Sequence, residues 1–129
     1  MENCLFCKMV KKEIMPQVIW EDENHFAFLD VNPWKQGHTV LVPKKHTDYI
    51  FDIESVEYQN LFLAAKEVAT ILKSKLQPKR IGVMVLGFGV PHAHIHLIPL
   101  DSEKDMNYTN AKPAMKEDLE KIAKLILEK

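Results

Sequence analysis

The chain has 129 residues, 47% of them hydrophobic and 27% charged, and its 17 Lys+Arg and 18 Asp+Glu leave a formal net charge of −1. Those proportions fit one globular domain over residues 1–129 and exclude a disordered, coiled-coil or collagen-like chain. A near-neutral balance gives no electrostatic case for nucleic-acid binding, and with Arg80 as the one arginine a phosphate site cannot rest on clustered guanidinium forks.

The start, Met1–Ile14, meets an acid at Glu2 and has no apolar segment after it, so it does not read as a secretory leader. No apolar run reaches the roughly 18 residues of a membrane span. The expected address is cytoplasmic, where Cys4 and Cys7 form a metal pair, a redox pair or plain thiols rather than a structural disulfide. Val18–Trp20 and His25–Leu29 are β-rich runs joined by polar residues 21–24, a hairpin on which His25 reads as a surface residue. Asp30-Val31-Asn32-Pro33 closes the second strand. Gly37 marks a turn before the strand Thr39–Val42, which Pro43 stops. Asp52 or Ser55 is the expected cap of a long helix running to about Leu76. Its Leu61, Ala64, Ala65, Val68, Ile71 and Leu72 make one buried stripe, and Pro78 ends it. Ile81–Leu86 and Ala93–Leu100 are strands around the turn Gly87-Phe88-Gly89. Residues 101–113 are loop-like, and Ala114–Leu127 is a second amphipathic helix, the charges of Lys116–Lys129 forming a solvated face. Hairpin-ordered strands with one long inserted helix imply an α+β domain with a mainly antiparallel sheet.

Three of the six histidines, His92, His94 and His96, fall within five residues. On a strand that spacing projects all three to one face; on a helix it would splay them. Each imidazole carries a donor and an acceptor that burial would leave in need of partners, so an ordinary core role is a poor account of all three. Two chemistries fit. One is a metal site with imidazole ligands. The other is attack of one imidazole on phosphorus, with its neighbours orienting it and handling protons. Gly87 and Gly89, just before, are able to bring backbone N–H groups close to a phosphate.

Four blocks occur in order: Cys4-Leu5-Phe6-Cys7-Lys8, Phe28-Leu29-Asp30-Val31-Asn32-Pro33, Gly37-His38-Thr39-Val40-Leu41-Val42-Pro43-Lys44-Lys45-His46, and His92-Ala93-His94-Ile95-His96-Leu97-Ile98-Pro99. Together they resemble the histidine-triad (HIT) superfamily in its small, Hint-like bacterial branch. The resemblance implies an antiparallel sheet of about five strands with one long helix and a carboxy-terminal helix, paired as a homodimer. It implies a hydrolase or transferase of nucleoside monophosphate derivatives, such as phosphoramidates or dinucleoside polyphosphates, acting through a covalent nucleotidyl-histidine. It also implies roles: His94 as nucleophile, His96 on the phosphate and leaving-group side, His92 as the first triad member and His38 as a supporting fourth. Asp30 would bind the ribose hydroxyls, Phe28 and Val31 would line the base pocket, and Gly87 and Gly89 would offer backbone to the phosphate. Read without the resemblance, Asp30 is a turn residue.

Some relatives, and the related galactose-1-phosphate uridylyltransferases, hold a structural zinc with a CxxC pair, a distant histidine and the first triad histidine. Carried over, the ligands are Cys4, Cys7, His46 and His92, orienting the triad rather than catalysing. Two thiols packed at the amino terminus are the plain alternative. A thioredoxin-like role lacks the βαβ context. The chain also departs from the pattern. Residues 85–91 lack the polar side chains many relatives carry, with Leu86, Phe88 and Gly89 near their asparagine, glutamine and hydroxyl residue. The tail has no closing tryptophan. Beside the nucleotidyl-histidine enzyme stand two other readings: a metalloenzyme with His92, His94 and His96 as catalytic ligands, and a nucleotide-binding regulatory module with little turnover.

Overall fold

A computed structural model describes residues 3–128; Met1 and Glu2 of the amino-terminal reading, and Lys129 of the charged helix face, lie outside the described residues. The first element is a short helix, α1 (Leu5–Val10), with Cys4 as its cap: the Sγ accepts the N–H of Cys7 at 3.3 Å. Six residues are too few to leave a periodic signal in sequence. Then follow β1 (Val18–Glu21), β2 (His25–Leu29), β3 (Thr39–Pro43), α2 (Ser55–Leu76), β4 (Arg80–Met84), β5 (Ile95–Leu100) and α3 (Lys116–Leu127). The five strands pair antiparallel in the order β1-β2-β3-β5-β4, so the expected α+β class holds.

Strand alternation gives the sheet two different faces. Ala27, Leu29, Leu41, Ile95 and Leu97 join Leu61, Ala64, Ala65, Val68 and Leu72 of α2 in the main core. Phe26, Phe28, Val40 and Val42 point the other way and pack with Cys4, Phe6 and Cys7. Both faces of β2 and β3 are therefore covered, which is why their sequences run nearly continuously apolar. The helix α2 fills its predicted stripe, with Ile71 only partly buried. Its cap is neither Asp52 nor Ser55 but Glu54, whose carboxylate accepts the N–H groups of Val56 and Glu57.

Further expectations need correction. β4 ends at Met84, not Leu86. β5 begins at Ile95, not Ala93. Pro43 has no N–H to extend the ladder, its carbonyl is taken by His92 Nε2 at 2.7 Å, and Ala93 N–H goes to the Thr47 carbonyl. His92 and His94 thus stand in the irregular segment just before the strand. His25 is not a surface residue: it is 5% exposed. Asp22 caps the hairpin turn by accepting the N–H groups of Asn24 and His25, and the same carboxylate holds the His25 ring inward at 3.0 Å.

Residues 101–113 form two single turns rather than plain loop. Beyond them the chain crosses the β2–β3 turn as a strap, Lys112 N–H donating to the Pro33 carbonyl and Ala114 N–H to that of Val31. No helix among the described residues is long and apolar enough to cross a membrane.

Gly37 sits at φ +91, and a Cβ there would collide with the Leu76 side chain and press on Pro99 at 3.1 Å. Gly37→Ala is expected to destabilise the fold by about 2–3 kcal/mol in urea unfolding. Gln77, at φ 55 past the end of α2, carries the opposite prediction. Gln77→Gly should leave stability unchanged or raise it by up to about 1 kcal/mol in the same assay.

Candidate active site

His96 lies on the sheet face turned away from α2, paired with Val40 of β3 and Met84 of β4. His94 is just ahead of it and His38 just before β3; both are buried. Burial disfavours the charged imidazole, pushing His38 and His96 down to about 4 and lowering His94 and His92. Neutral imidazoles have one donor and one acceptor, so hydrogen bonds to groups of fixed role assign each tautomer.

A carbonyl only accepts. His94 Nδ1 lies 2.8 Å from the His92 carbonyl, so it carries the proton and Nε2 keeps a free lone pair. Trp34 N–H donates to His38 Nδ1 at 3.1 Å, so the His38 proton is on Nε2. That proton is donated to His96 Nδ1 at 2.9 Å, which leaves the His96 proton on Nε2. The rings of His94 and His96 are 5.0 Å apart. Asp30 serves its turn and stays near the site: Oδ1 accepts the Asn32 N–H, while Oδ2 is 3.7 Å from His38 Nε2.

A cavity of about 380 Å³ opens on these groups. It gathers Phe28, Asp30, Val31, Gly87, Gly89, His94 and His96 from the sequence expectations. Phe28 is buried in the wall, whereas Val31 is 58% exposed. Gly87 has φ +81 with open space around it, so backbone conformation rather than crowding calls for glycine there. Among the wall residues sequence reasoning missed are Leu5, Phe6 and Met9, all on α1. Phe6 meets His94 edge-on at 4.9 Å between centroids. A larger cavity of about 670 Å³ lies across the β2–β3 turn, lined by Trp34, Lys35 and α3, but none of His92, His94 and His96 borders it.

His92 turns elsewhere. Its Nε2 donates to the Pro43 carbonyl, which leaves Nδ1 unprotonated. That nitrogen lies 3.4 Å from Cys4 Sγ, 3.4 Å from Cys7 Sγ and 3.2 Å from His46 Nδ1; Cys7 Sγ is 3.1 Å from His46 Nδ1. All four ligand atoms fall within 4.8 Å of one another. A tetrahedron with metal–nitrogen bonds of about 2.0–2.1 Å and metal–sulfur bonds of about 2.3 Å has edges of roughly 3.3–3.8 Å. The donor set and spacing therefore fit a zinc-type ion with little adjustment. Burial, and then the hydrogen bond with Cys4, raises the Cys7 thiol to about 11, so a metal ion entering there displaces a proton. The reading of His92, His94 and His96 as three ligands of one metal does not hold. Among the described residues they do not converge, because His92 faces the thiols. Asp30, His38 and His96 do converge, but the His96 Nδ1 lone pair is already engaged by His38.

The HIT domain family model matches residues 11–103. An uncharacterized HIT-like protein of Methanocaldococcus jannaschii is 39% identical over 101 residues, covering 74% of this chain and 78% of that protein. The adenosine 5′-monophosphoramidase of Saccharomyces cerevisiae is 32% identical over 123 residues, 95% of this chain and 77% of that enzyme. The crystal structure of a Hit-like protein involved in cell-cycle regulation from Bartonella henselae superposes with a TM-score of 0.87 at 29% identity, covering 98% of this chain and 96% of that one.

The buried imidazoles predict a pH dependence. His38 and His96 titrate near 4 when folded but near the ordinary 6.5 when unfolded. Between those values the unfolded chain binds more protons, so stability is full above about 6.5 and is lost as pH falls towards 4. Urea midpoints measured from pH 7 to 4.5 should fall, and His38→Asn should make that fall shallower whatever its effect at pH 7.

Proposed function

This chain belongs to the HIT domain family, and on that premise we propose that it cleaves a bond to the α-phosphorus of nucleoside monophosphate derivatives through a nucleotidyl-histidine. The observation that carries the proposal is the opposite tautomers of two adjacent rings: His94 offers a lone pair at Nε2, and His96 a proton at Nε2. Beside them the cavity supplies an apolar wall at Phe28 and a carboxylate at Asp30.

The nucleoside packs against Phe28, Phe6 and Val31, with its ribose hydroxyls donating to Asp30. Backbone N–H groups of Gly87–Gly89 and the His96 Nε2–H hold the phosphoryl oxygens. His94 Nε2 attacks phosphorus, forming a P–N bond as the bond to the leaving amine or phosphate breaks. The developing imidazolium is stabilised through Nδ1–H by the His92 carbonyl. His96 Nε2–H lies on the leaving-group side and hydrogen-bonds the departing atom, and a departing amine takes its proton from solvent. Water then attacks the same phosphorus and loses a proton to solvent, the P–N bond to His94 breaks with its electron pair returning to Nε2, and nucleoside monophosphate leaves. Splitting the displacement gives ping-pong kinetics. The adenosine 5′-monophosphoramidase activity of the yeast relative supports a phosphoramidate as the first substrate to try.

Cys4, Cys7, His46 and His92 would hold zinc. The ion would supply structural rigidity, fixing the His92 carbonyl against His94 and the α1 wall against the nucleoside. A homodimer is part of the same reading: β4 is an open sheet edge with Val83 exposed, and Leu63 of α2 is exposed.

Adenosine 5′-phosphoramidate should yield AMP with the wild-type chain, and His94→Ala should lower kcat by about 1000-fold or more while still binding AMP. AMP binding without turnover by the wild type would instead favour a regulatory module. The chain should carry one zinc ion by elemental analysis. Its removal by a chelator should weaken AMP binding by roughly tenfold or more in calorimetry, because Leu5, Phe6 and Met9 lose their anchor.

A further inference from the structure

We propose that the indole of Trp34 is a positioning residue that fixes the plane of the His96 ring; this rests on the reading of His96 given above. The hydrogen bond from His38 to His96 Nδ1 fixes one direction in the plane of that ring. It leaves the ring free to tilt about that bond. Trp34 removes the freedom: its indole lies over His96 at 5.4 Å between centroids with only 21° between the planes. The opposite constraint comes from His94, edge-on to His96 at 74°. Trp34 also meets His38 edge-on at 5.0 Å, so one side chain touches both partners of the histidine pair.

Trp34 is itself held. Its neighbours Val31 and Pro33 are tied by their carbonyls to Ala114 and Lys112 of the strap, and Lys35 bridges Asp101 and Asp105 at 2.6 and 2.7 Å. The indole is half-buried, so it rests on a fixed turn with one face on His96. The main-chain N–H of Trp34 sets the His38 tautomer, and the side chain sets the His96 plane. Substituting the side chain separates the two roles, since any residue but proline keeps the N–H.

A tilt of His96 moves its Nε2–H away from the reacting phosphoryl group without changing the nucleoside wall. Misplacement of about 1 Å costs on the order of 100-fold in rate. Trp34→Ala is therefore expected to lower kcat on adenosine 5′-phosphoramidate by roughly 10- to 100-fold, with KM and AMP affinity within about twofold of wild type. Trp34→Phe, which keeps an aromatic face, should recover most of kcat. In ¹⁵N-histidine spectra, wild-type His96 should show one protonated Nε2 and one bare Nδ1. In Trp34→Ala that pattern should persist, since His38 still sets the tautomer, while the ¹³C order parameter of the His96 Cε1–H bond should fall as the ring loosens and recover in Trp34→Phe. An unchanged kcat overturns the proposal. So does an equal loss in both variants with KM raised in step, the signature of general loosening. If the wild-type chain turns over no nucleotide substrate, the reaction reading fails by itself. The ¹³C order parameter then decides alone, and its staying at the wild-type value in Trp34→Ala overturns the role of Trp34.

Discussion

Burying several imidazoles without charging any of them is the constraint on which this structure turns. Charging a ring in the interior is costly, so burial lowers the pKa of each member of the triad and of His38. A neutral imidazole is directional, with one donor and one acceptor. Once a backbone group of fixed role meets one ring nitrogen, the other is determined. The Pro43 carbonyl does this for His92, the His92 carbonyl for His94, and the Trp34 N–H for His38 and, through it, His96. Opposite polarity at two neighbouring Nε2 atoms thus needs no charged side chain. It needs a sheet register that brings Val40, His96 and Met84 level, and a chain that leaves the sheet at Pro43.

The Cys4–Cys7–His46–His92 cluster and the cavity share the same few residues of backbone. Cys4 and Cys7 bracket Leu5 and Phe6, and Phe6 lies between the cluster and His94, near both His92 and His94 rings. A helix of six residues is too short to hold itself in water, so α1 depends on what binds its ends. Here the amino-terminal end is capped by the Cys4 thiol, and the apolar packing of Phe6 on Phe28 completes the anchor. The proposed zinc would therefore act on the substrate pocket through geometry alone, with no contact to the reacting atoms.

Much of the fold was legible because its signals were long or periodic. The stripe of α2 and the apolar runs of β2 and β3 fall where local pattern and burial agree. What escaped was set by tertiary contacts. α1 is shorter than two turns, so its pocket-lining role has no sequence signature beyond the CxxC spacing. The start of β5 is decided by hydrogen bonds to Pro43 and Thr47, some 50 residues away in sequence. His25 looks like a polar turn residue until Asp22 is seen folding its ring inward. The histidine spacing did point to the segment that borders both the cavity and the thiol cluster. Alternation, however, predicts three rings on one face, and the actual chain splits them: His92 serves the thiols, while His94 and His96 serve the cavity. Trp34 had no signal at all, because stacking on a residue 62 positions later is invisible to any local pattern.

The glycine turn shapes what chemistry the proposed site would favour. Gly89 stands where the family resemblance implies a hydroxyl that helps protonate the leaving group, and glycine supplies no side chain there. In this chain the group left on that side is His96, whose Nε2 proton is held out by the relay from Trp34 through His38. Burial depresses the pKa of His96, which makes its conjugate acid a stronger proton donor once charge builds up beside it. A neutral imidazole, by contrast, donates a hydrogen bond readily but surrenders its only proton at great cost. On the proposed mechanism, His96 thus stabilises a departing atom that already carries its proton or needs none. Amines expelled with help from solvent, and phosphate oxygens of low basicity, meet that condition better than strongly basic leaving groups buried away from water. The same turn leaves Phe88 almost fully exposed beside the cavity, so the leaving-group side is open to solvent from which a proton can come.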